Sequence, residues 1–154
     1  MAYDAQRRHR LIQYLRSGKR RLQACDEDTC LLLEKYGFDD GIHCLIHSDS
    51  PESLKEAKSI NPYIPCGLII AMAIGTYYDL DYADFFSVES TFATASVVNA
   101  IHTRGKMIFV WTVDDADTIE KMVDRNVDGI IGDDPERIAE VQRKTAFRID
   151  RNLS

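Results

Sequence analysis

From residue 26 onward the hydrophobic period of this chain keeps switching, with short unbroken apolar runs alternating with stretches in which apolar residues recur at helical spacing. A strand with one wet face alternates apolar and polar residues, whereas a strand buried on both faces reads as one continuous apolar run. The runs here are continuous. The pattern therefore predicts repeated βα units around a parallel sheet, an α/β fold. Five strands are expected, at Ile42–His47, Cys66–Ile70, Asp84–Glu89, Met107–Thr112 and Val127–Ile131. The helices between them carry local start and stop signals. Ser50 followed by Pro51 and Glu52 is a cap with a preset first turn, and that helix must stop before Pro62. Further helices are expected from near Thr94 to Gly105, from Asp115 to Arg125, and from Asp134 and Pro135 to about Arg143. A long loop fills Met72–Tyr82. Ahead of the first strand, amphipathic spacing predicts extra N-terminal helices at 5–16 and at Asp26–Tyr36, the latter closed by Gly37.

A chain of 154 residues with 45% hydrophobic side chains is sized for one core. Its longest apolar stretch, Cys66 to Gly75, is about half of what a membrane helix needs, and no apolar segment follows the Arg-rich start, so neither a span nor a secretory leader is expected. Nineteen Lys and Arg against twenty-five Asp and Glu give −6, which argues against a nucleic-acid partner. The charge is uneven: residues 1–21 hold seven basic side chains against Asp4 alone, a segment of +6 ahead of a body of −12. We read 1–21 as a basic amphipathic helix that lies on the acidic body or touches an anionic membrane surface, and 22–154 as the folded domain. Cys25, Cys30, Cys44 and Cys66 form no CxxC pair and have no His at zinc spacing. Cys30, Cys44 and Cys66 fall in apolar runs and are expected as reduced core residues, which favours a reducing, cytoplasmic location.

In parallel α/β folds the ligand-facing residues gather at the carboxyl ends of the strands. That rule selects His47 and Ser48, Glu89 and Ser90, Trp111, Thr112 and Asp114, and Gly132, Asp133 and Asp134. A carboxylate, an indole and a glycine turn on one rim suit a small anionic or polyol ligand. Each also has a plainer reading. Asp114 and Asp134 are good helix caps, Trp111 is core filler or ligand platform on pattern alone, and His47 and His102 lack a partner at metal spacing. Glu89, ending the apolar run of DFFSVES, must be paired, hydrated or bound to a cation.

The segment MIFVWTVDDADTIEKMVDRNVDGIIGDDP, residues 107–135, resembles the closing pattern of the glycerophosphodiester phosphodiesterases: a strand with Trp-Thr-Val-Asn, a helix, then Gly-Ile-Ile-Thr-Asp-x-Pro. Trp111, Thr112, Val113, Gly129, Ile130, Ile131, Asp133 and Pro135 match, whereas Asp114 stands for the usual Asn and Gly132 for the usual Thr. Upstream, IHSDSPESLKEAKSINPYIPCGLII is similar to the family's Ser-containing strand end, helix and next strand, and DFFSVESTFATASVVNAIHTRGK resembles most the branch associated with membranes.

The resemblance implies a partial TIM barrel, the last five of eight βα units, and a role in lipid and glycerol metabolism. It implies metal-dependent hydrolysis of a glycerophosphodiester, with Mg or Ca as the divalent metal, and it places Trp111 on the glycerol moiety, Glu89 and Ser48 at the border of the site, and Gly132 at the phosphate. The family's His-Arg-Gly, Glu-x-Asp and Glu-x-Lys motifs and its catalytic His have no counterpart here. No catalytic residue and no metal ligand is therefore assigned. The expected function is that of a phosphodiesterase relative, inactive as this isolated chain; the alternative is a non-enzymatic phosphodiester-binding or interaction module. A truncated gene, a split enzyme and a dead relative all fit. Five barrel strands cannot close, so a second copy, an upstream barrel fragment or the N-terminal helix is expected to cover the open edges.

Overall fold

The structure, a computed structural model, describes residue 30 and residues 33–37, 44–71 and 78–152. The expected basic helix over 1–21, Cys25, and most of the loop 72–82 lie outside the described residues. Nine elements follow in chain order: β1 (Ile46–Ser48), α1 (Pro51–Ile60), β2 (Cys66–Ile70), β3 (Phe85–Glu89), α2 (Ala95–His102), β4 (Met107–Trp111), α3 (Ala116–Asp124), β5 (Gly129–Ile130) and α4 (Pro135–Asn152). Residues 30 and 33–35 are helical and end in a turn at Gly37, whose φ of 69° puts it in the left-handed region where glycine is favoured.

All four strand pairings are parallel, and the spatial order β1-β2-β3-β4-β5 is the chain order. A doubly wound sheet would reverse direction at a switch point and place helices on both faces. This sheet never reverses. It is the arc of a barrel, a five-strand partial TIM barrel, with α1, α2, α3 and α4 packed on one face.

Register separates the two faces. Leu68, Phe86 and Ile108 lie side by side, as do Ile70, Val88, Val110 and Ile130, and these rows join Val98, Ile101, Ile119, Met122 and Ile138 in the main core. The intervening residues form the opposite, inner face. There Phe85 and Phe109 stack with ring centroids 4.7 Å apart. A Cβ on Gly67 would lie 1.9 Å from the Phe85 ring, and one on Gly129 would lie 2.6 Å from that of Phe109. Glycines beside large rings let the inner layer fill. Burial on both faces is why the strands read as continuous apolar runs.

The helix starts follow local chemistry. The Ser50 hydroxyl accepts the Ser53 amide at 3.2 Å, the Thr94 hydroxyl accepts that of Val97 at 3.3 Å, and Asp134 Oδ1 accepts that of Arg137 at 3.0 Å. At the amino ends of the strands one device recurs. Asp84 Oδ2 accepts the Cys66 amide at 2.8 Å and pairs with Lys58 Nζ at 2.6 Å; Asp128 Oδ2 accepts the Ile108 amide at 2.9 Å and contacts His102 Nε2 at 2.8 Å. In each case the aspartate preceding one strand holds the neighbouring strand and the helix before it. His102 thus has a structural partner.

Several boundaries differ from expectation. The first strand is Ile46–Ser48, and Cys44 and Leu45 lie outside it. The last strand is only Gly129–Ile130, although backbone bonds to the neighbouring strand extend one residue to each side, from the Asp128 amide to the Ile108 carbonyl and from the Ile131 amide to the Val110 carbonyl. The last helix runs to Asn152, since no Gly or Pro interrupts the chain after Pro135. Asp115, not Asp114, caps α3, accepting the Thr118 amide at 2.8 Å. Cys30 and Cys66 are buried in a second cluster with Ile46, Leu54, Ala57 and Ile64, as expected, and burial pushes the Cys66 thiol up to about 11.

Candidate functional site

The carboxyl ends of β3 and β4 bring two of the selected residues together. Glu89 and Trp111 are register partners on the inner-face rows, at the last position of each strand. The indole is held in place: Trp111 Nε1 donates to the Ser87 carbonyl at 3.0 Å, and the Trp111 carbonyl accepts the Ser90 amide at 2.8 Å. Trp111 is half-buried. The peptide between Trp111 and Thr112 is cis.

Glu89 is half-buried and its carboxylate is hydrogen-bonded within its own loop. Oε1 accepts the Ser90 hydroxyl at 3.2 Å, and Oε2 accepts the Thr91 amide at 3.1 Å together with the Thr91 hydroxyl. These bonds satisfy part of what a carboxylate ending an apolar strand requires. The signal was local: Ser90 and Thr91 follow Glu89 directly.

Gly132 lies against the β4–α3 loop. A Cβ there would be 2.2 Å from the Val113 carbonyl and 2.8 Å from Asp114 Oδ1, so the backbone of the β5–α4 turn touches its neighbour directly. Asp114 Oδ1 accepts the Asp133 amide at 2.6 Å, and the Asp114 carbonyl accepts Arg137 Nη1 at 3.2 Å. The two aspartates that sequence reasoning treated as caps therefore divide: Asp134 caps α4 and Asp114 joins two loops.

Ser48 ends β1 at the same carboxyl edge, but on the other face of the sheet from Glu89 and Trp111. It is buried and lies in register with Leu68, on the helix-packed rows, and its hydroxyl accepts the Ser50 amide at 3.1 Å. His47, one residue earlier, is in register with Gly67 on the inner face. The two-residue period of the strand decides both placements.

Asp114, Asp115, Asp133 and Asp134 crowd the loops after β4 and β5, with Arg137 as the cation joined to them. Hydrogen bonds from the Thr118 amide and hydroxyl lower the Asp115 pKa. Among the described residues no group of three or more His, Cys, Asp or Glu side chains is arranged to hold a metal.

A parallel sheet wound in one direction, with an ordered indole and a glycine turn at its carboxyl rim, defines a barrel-type α/β protein with a candidate small-ligand site at the strand ends. The model of the glycerophosphoryl diester phosphodiesterase family matches residues 13–137, and the chain belongs to that family. It is 26% identical over 133 residues to a glycerophosphodiester phosphodiesterase of Caldanaerobacter subterraneus, covering 84% of this chain and 54% of the relative. The fold is similar to that of a glycerophosphodiester phosphodiesterase from Parabacteroides distasonis, with a TM-score of 0.67 and 19% identity over 77% of this chain and 52% of that one. It is also similar to an Oleispira antarctica phosphodiesterase solved with the product sn-glycerol-3-phosphate, with a TM-score of 0.59 and 20% identity over 63% of this chain and 40% of that one. The chain spans about half the length of the curated relatives it matches. Enzymes of this family generally use a divalent metal. No helix among the described residues is long and apolar enough to cross a membrane.

Proposed function

We propose that this chain supplies the glycerophosphate-facing wall of a phosphodiester site, and that its described residues bind such a ligand without hydrolysing it. The observation that carries this reading is the Trp111 indole, fixed by the Ser87 carbonyl at the carboxyl end of β4, beside Glu89 and one strand from the Gly132 turn. Trp111 packs on the glycerol moiety as an apolar platform, Glu89 keeps the β3–α2 loop in shape, and the Gly132 turn offers backbone to the phosphate. Ser48, at the carboxyl end of β1, holds the β1–α1 turn at the border of the site. Family membership and the product bound to the Oleispira neighbour support the ligand class.

Hydrolysis of a phosphodiester needs groups that move protons and groups that stabilise charge on the phosphate. The described residues offer an indole, a carboxylate hydrogen-bonded within its own loop, a histidine on the inner face of β1 and several aspartates, while the His-Arg-Gly, Glu-x-Asp and Glu-x-Lys motifs have no counterpart in the sequence. Purified chain incubated with glycerophosphocholine or glycerophosphoethanolamine and Mg²⁺ or Ca²⁺ is expected to release no sn-glycerol 3-phosphate above blank. Turnover that chelator abolishes and that survives re-purification refutes this. Binding is read from the single tryptophan: sn-glycerol 3-phosphate should shift its emission saturably, with an affinity on the order of millimolar from one wall. Calorimetry checks the same constant without the fluorophore.

A second reading rests on the open sheet. Among the described residues β1 and β5 each have a strand on one side only. In this reading a second copy or an upstream barrel fragment adds strands there and brings the missing catalytic groups. Activity appearing only on addition of such a fragment would favour it.

A further inference from the structure

The pairing between β4 and β5 continues past both strands. Ile131 donates its amide to the Val110 carbonyl at 2.8 Å, and Val113 donates its own to the Ile131 carbonyl at 3.0 Å. At the next rung the acceptor changes: Asp133 donates its amide at 2.6 Å to a side-chain oxygen, Asp114 Oδ1. The chain has by then turned toward α3, whose cap is Asp115, so a side chain replaces the backbone as acceptor. On the other side of the same residue, the Asp114 carbonyl is held by Arg137 Nη1, from the first turn of α4. Gly132 sits between these rungs, where the Val113 carbonyl leaves no room for a Cβ.

We infer that Asp114 is a positioning residue, whose carboxylate latches the loop after β5 onto the loop after β4 so that Trp111 and the Gly132 turn form one rigid wall. The inference rests on reading that wall as the ligand-bearing one. Asp114 Oδ1 is committed to the Asp133 amide, so the residue acts through the loop. With the latch open the two loops part. Ligand then meets Trp111 and the Gly132 turn together for only a fraction of the time, and apparent affinity falls by that fraction.

The latch needs one oxygen at the Oδ1 position, which separates it from a general effect of charge or stability. Three variants test it, Asp114→Ala, Asp114→Asn and Asp115→Ala, the last removing the α3 cap from the same loop without touching the latch. Two readouts are followed: hydrogen exchange of the Asp133 amide by NMR, and the dissociation constant for sn-glycerol 3-phosphate by calorimetry. In Asp114→Ala the amide should exchange at least about ten-fold faster and affinity should fall at least about five-fold, the size of a lost hydrogen bond at a partly exposed site. Asp114→Asn should keep both within about two-fold. Asp115→Ala should lower Tm and leave both unchanged. An Asp133 amide that already exchanges freely in the unmodified chain overturns the inference, as does an alanine variant equal to it in exchange and affinity. Should the alanine variant not fold, Asp114→Ser, too short to reach Asp133, takes its place. If the unmodified chain binds no sn-glycerol 3-phosphate, the ligand reading fails, and the latch is judged on the exchange rates.

Discussion

Gly67→Ala tests the inner face of the sheet directly. The added methyl carbon would lie 1.9 Å from Phe85 Cε2, 2.2 Å from Cζ and 2.3 Å from Cδ2. Carbon contacts sit at about 3.5–4.0 Å, so the ring must move by roughly 1.5 Å or more. Phe85 is fully buried, and on its far side stands Phe109, whose own ring occupies the space over Gly129. The displacement therefore has no free volume to enter. Overpacking of this kind costs about 1–3 kcal/mol, and the upper half applies where both neighbours are fixed. Replacing a strand glycine returns roughly 0.5–1 kcal/mol of backbone entropy, leaving a net loss of about 2 kcal/mol and a Tm lower by roughly 4–8 °C. Phe85→Leu alone should cost about 1–2 kcal/mol for lost burial. Together the two changes should be less damaging than their sum by about 1 kcal/mol or more, because the smaller side chain vacates the space the methyl needs. Urea unfolding followed by Trp111 emission and by far-UV circular dichroism measures all four corners of the cycle. A Gly67→Ala protein within about 0.5 kcal/mol of the parent, or strict additivity with Phe85→Leu, would show that the ring does not lie over Gly67.

Further expectations concern the poles of the sheet. Asp128→Ala should destabilise by about 2–3 kcal/mol in urea unfolding, because it leaves the Ile108 amide without its carboxylate and removes the partner of His102; a loss under about 0.5 kcal/mol would mean that the staple contributes nothing. Burial holds the Cys66 thiol protonated, so iodoacetamide at pH 8 should leave it unlabelled in the native state and label it in urea, as read by peptide mass mapping; native labelling would contradict its place in the core. The lowered Asp115 pKa means that its stabilising effect is fully present above the ordinary carboxylate range and lost as pH falls through the folded-state value. Asp115→Asn should therefore flatten the acid limb of the stability curve, and an unchanged limb would show that the cap is not formed.

What the sequence shows and what it hides divide along physical lines. The start of α1 is legible because Ser50, Pro51 and Glu52 act within one turn, and β2 is bounded as expected because Cys66–Ile70 is an unbroken apolar run following Pro65. The order of elements and the rim pair of Glu89 and Trp111 follow from the same local reading combined with the rule for strand ends. The side to which Ser48 turns is not local. The phase of a three-residue strand is set by its register with Leu68 and by the packing of Ile46 against Leu54. Adjacent aspartates pose a similar problem: Asp114 and Asp115 are equally competent caps, and the choice is made by the extra rung from Val113 to Ile131, which holds the chain extended for one residue more. The bonds that Ser90 and Thr91 donate to Glu89 lie within three consecutive residues, but a serine and a threonine after a strand are equally suited to the turn that follows, so the pattern alone does not single them out.

The identity of spatial and chain order in the sheet has a kinetic and architectural meaning. Each strand finds its partner in the next strand along the chain, so no central strand waits for a distant segment, and loop-closure entropy stays small at every step. Ordering can begin at any neighbouring pair, such as β3 with β4, and spread outward by one unit at a time, much as stacked repeats zip. In such an arrangement each unit is stabilised by its immediate neighbours, and the sheet can be lengthened or shortened at an end without disturbing the contacts that remain. A barrel built this way is divisible: an arc of it keeps its helix-packed core, its staples and its rim, and what changes with arc length is the curvature that has to be closed rather than the integrity of the pieces.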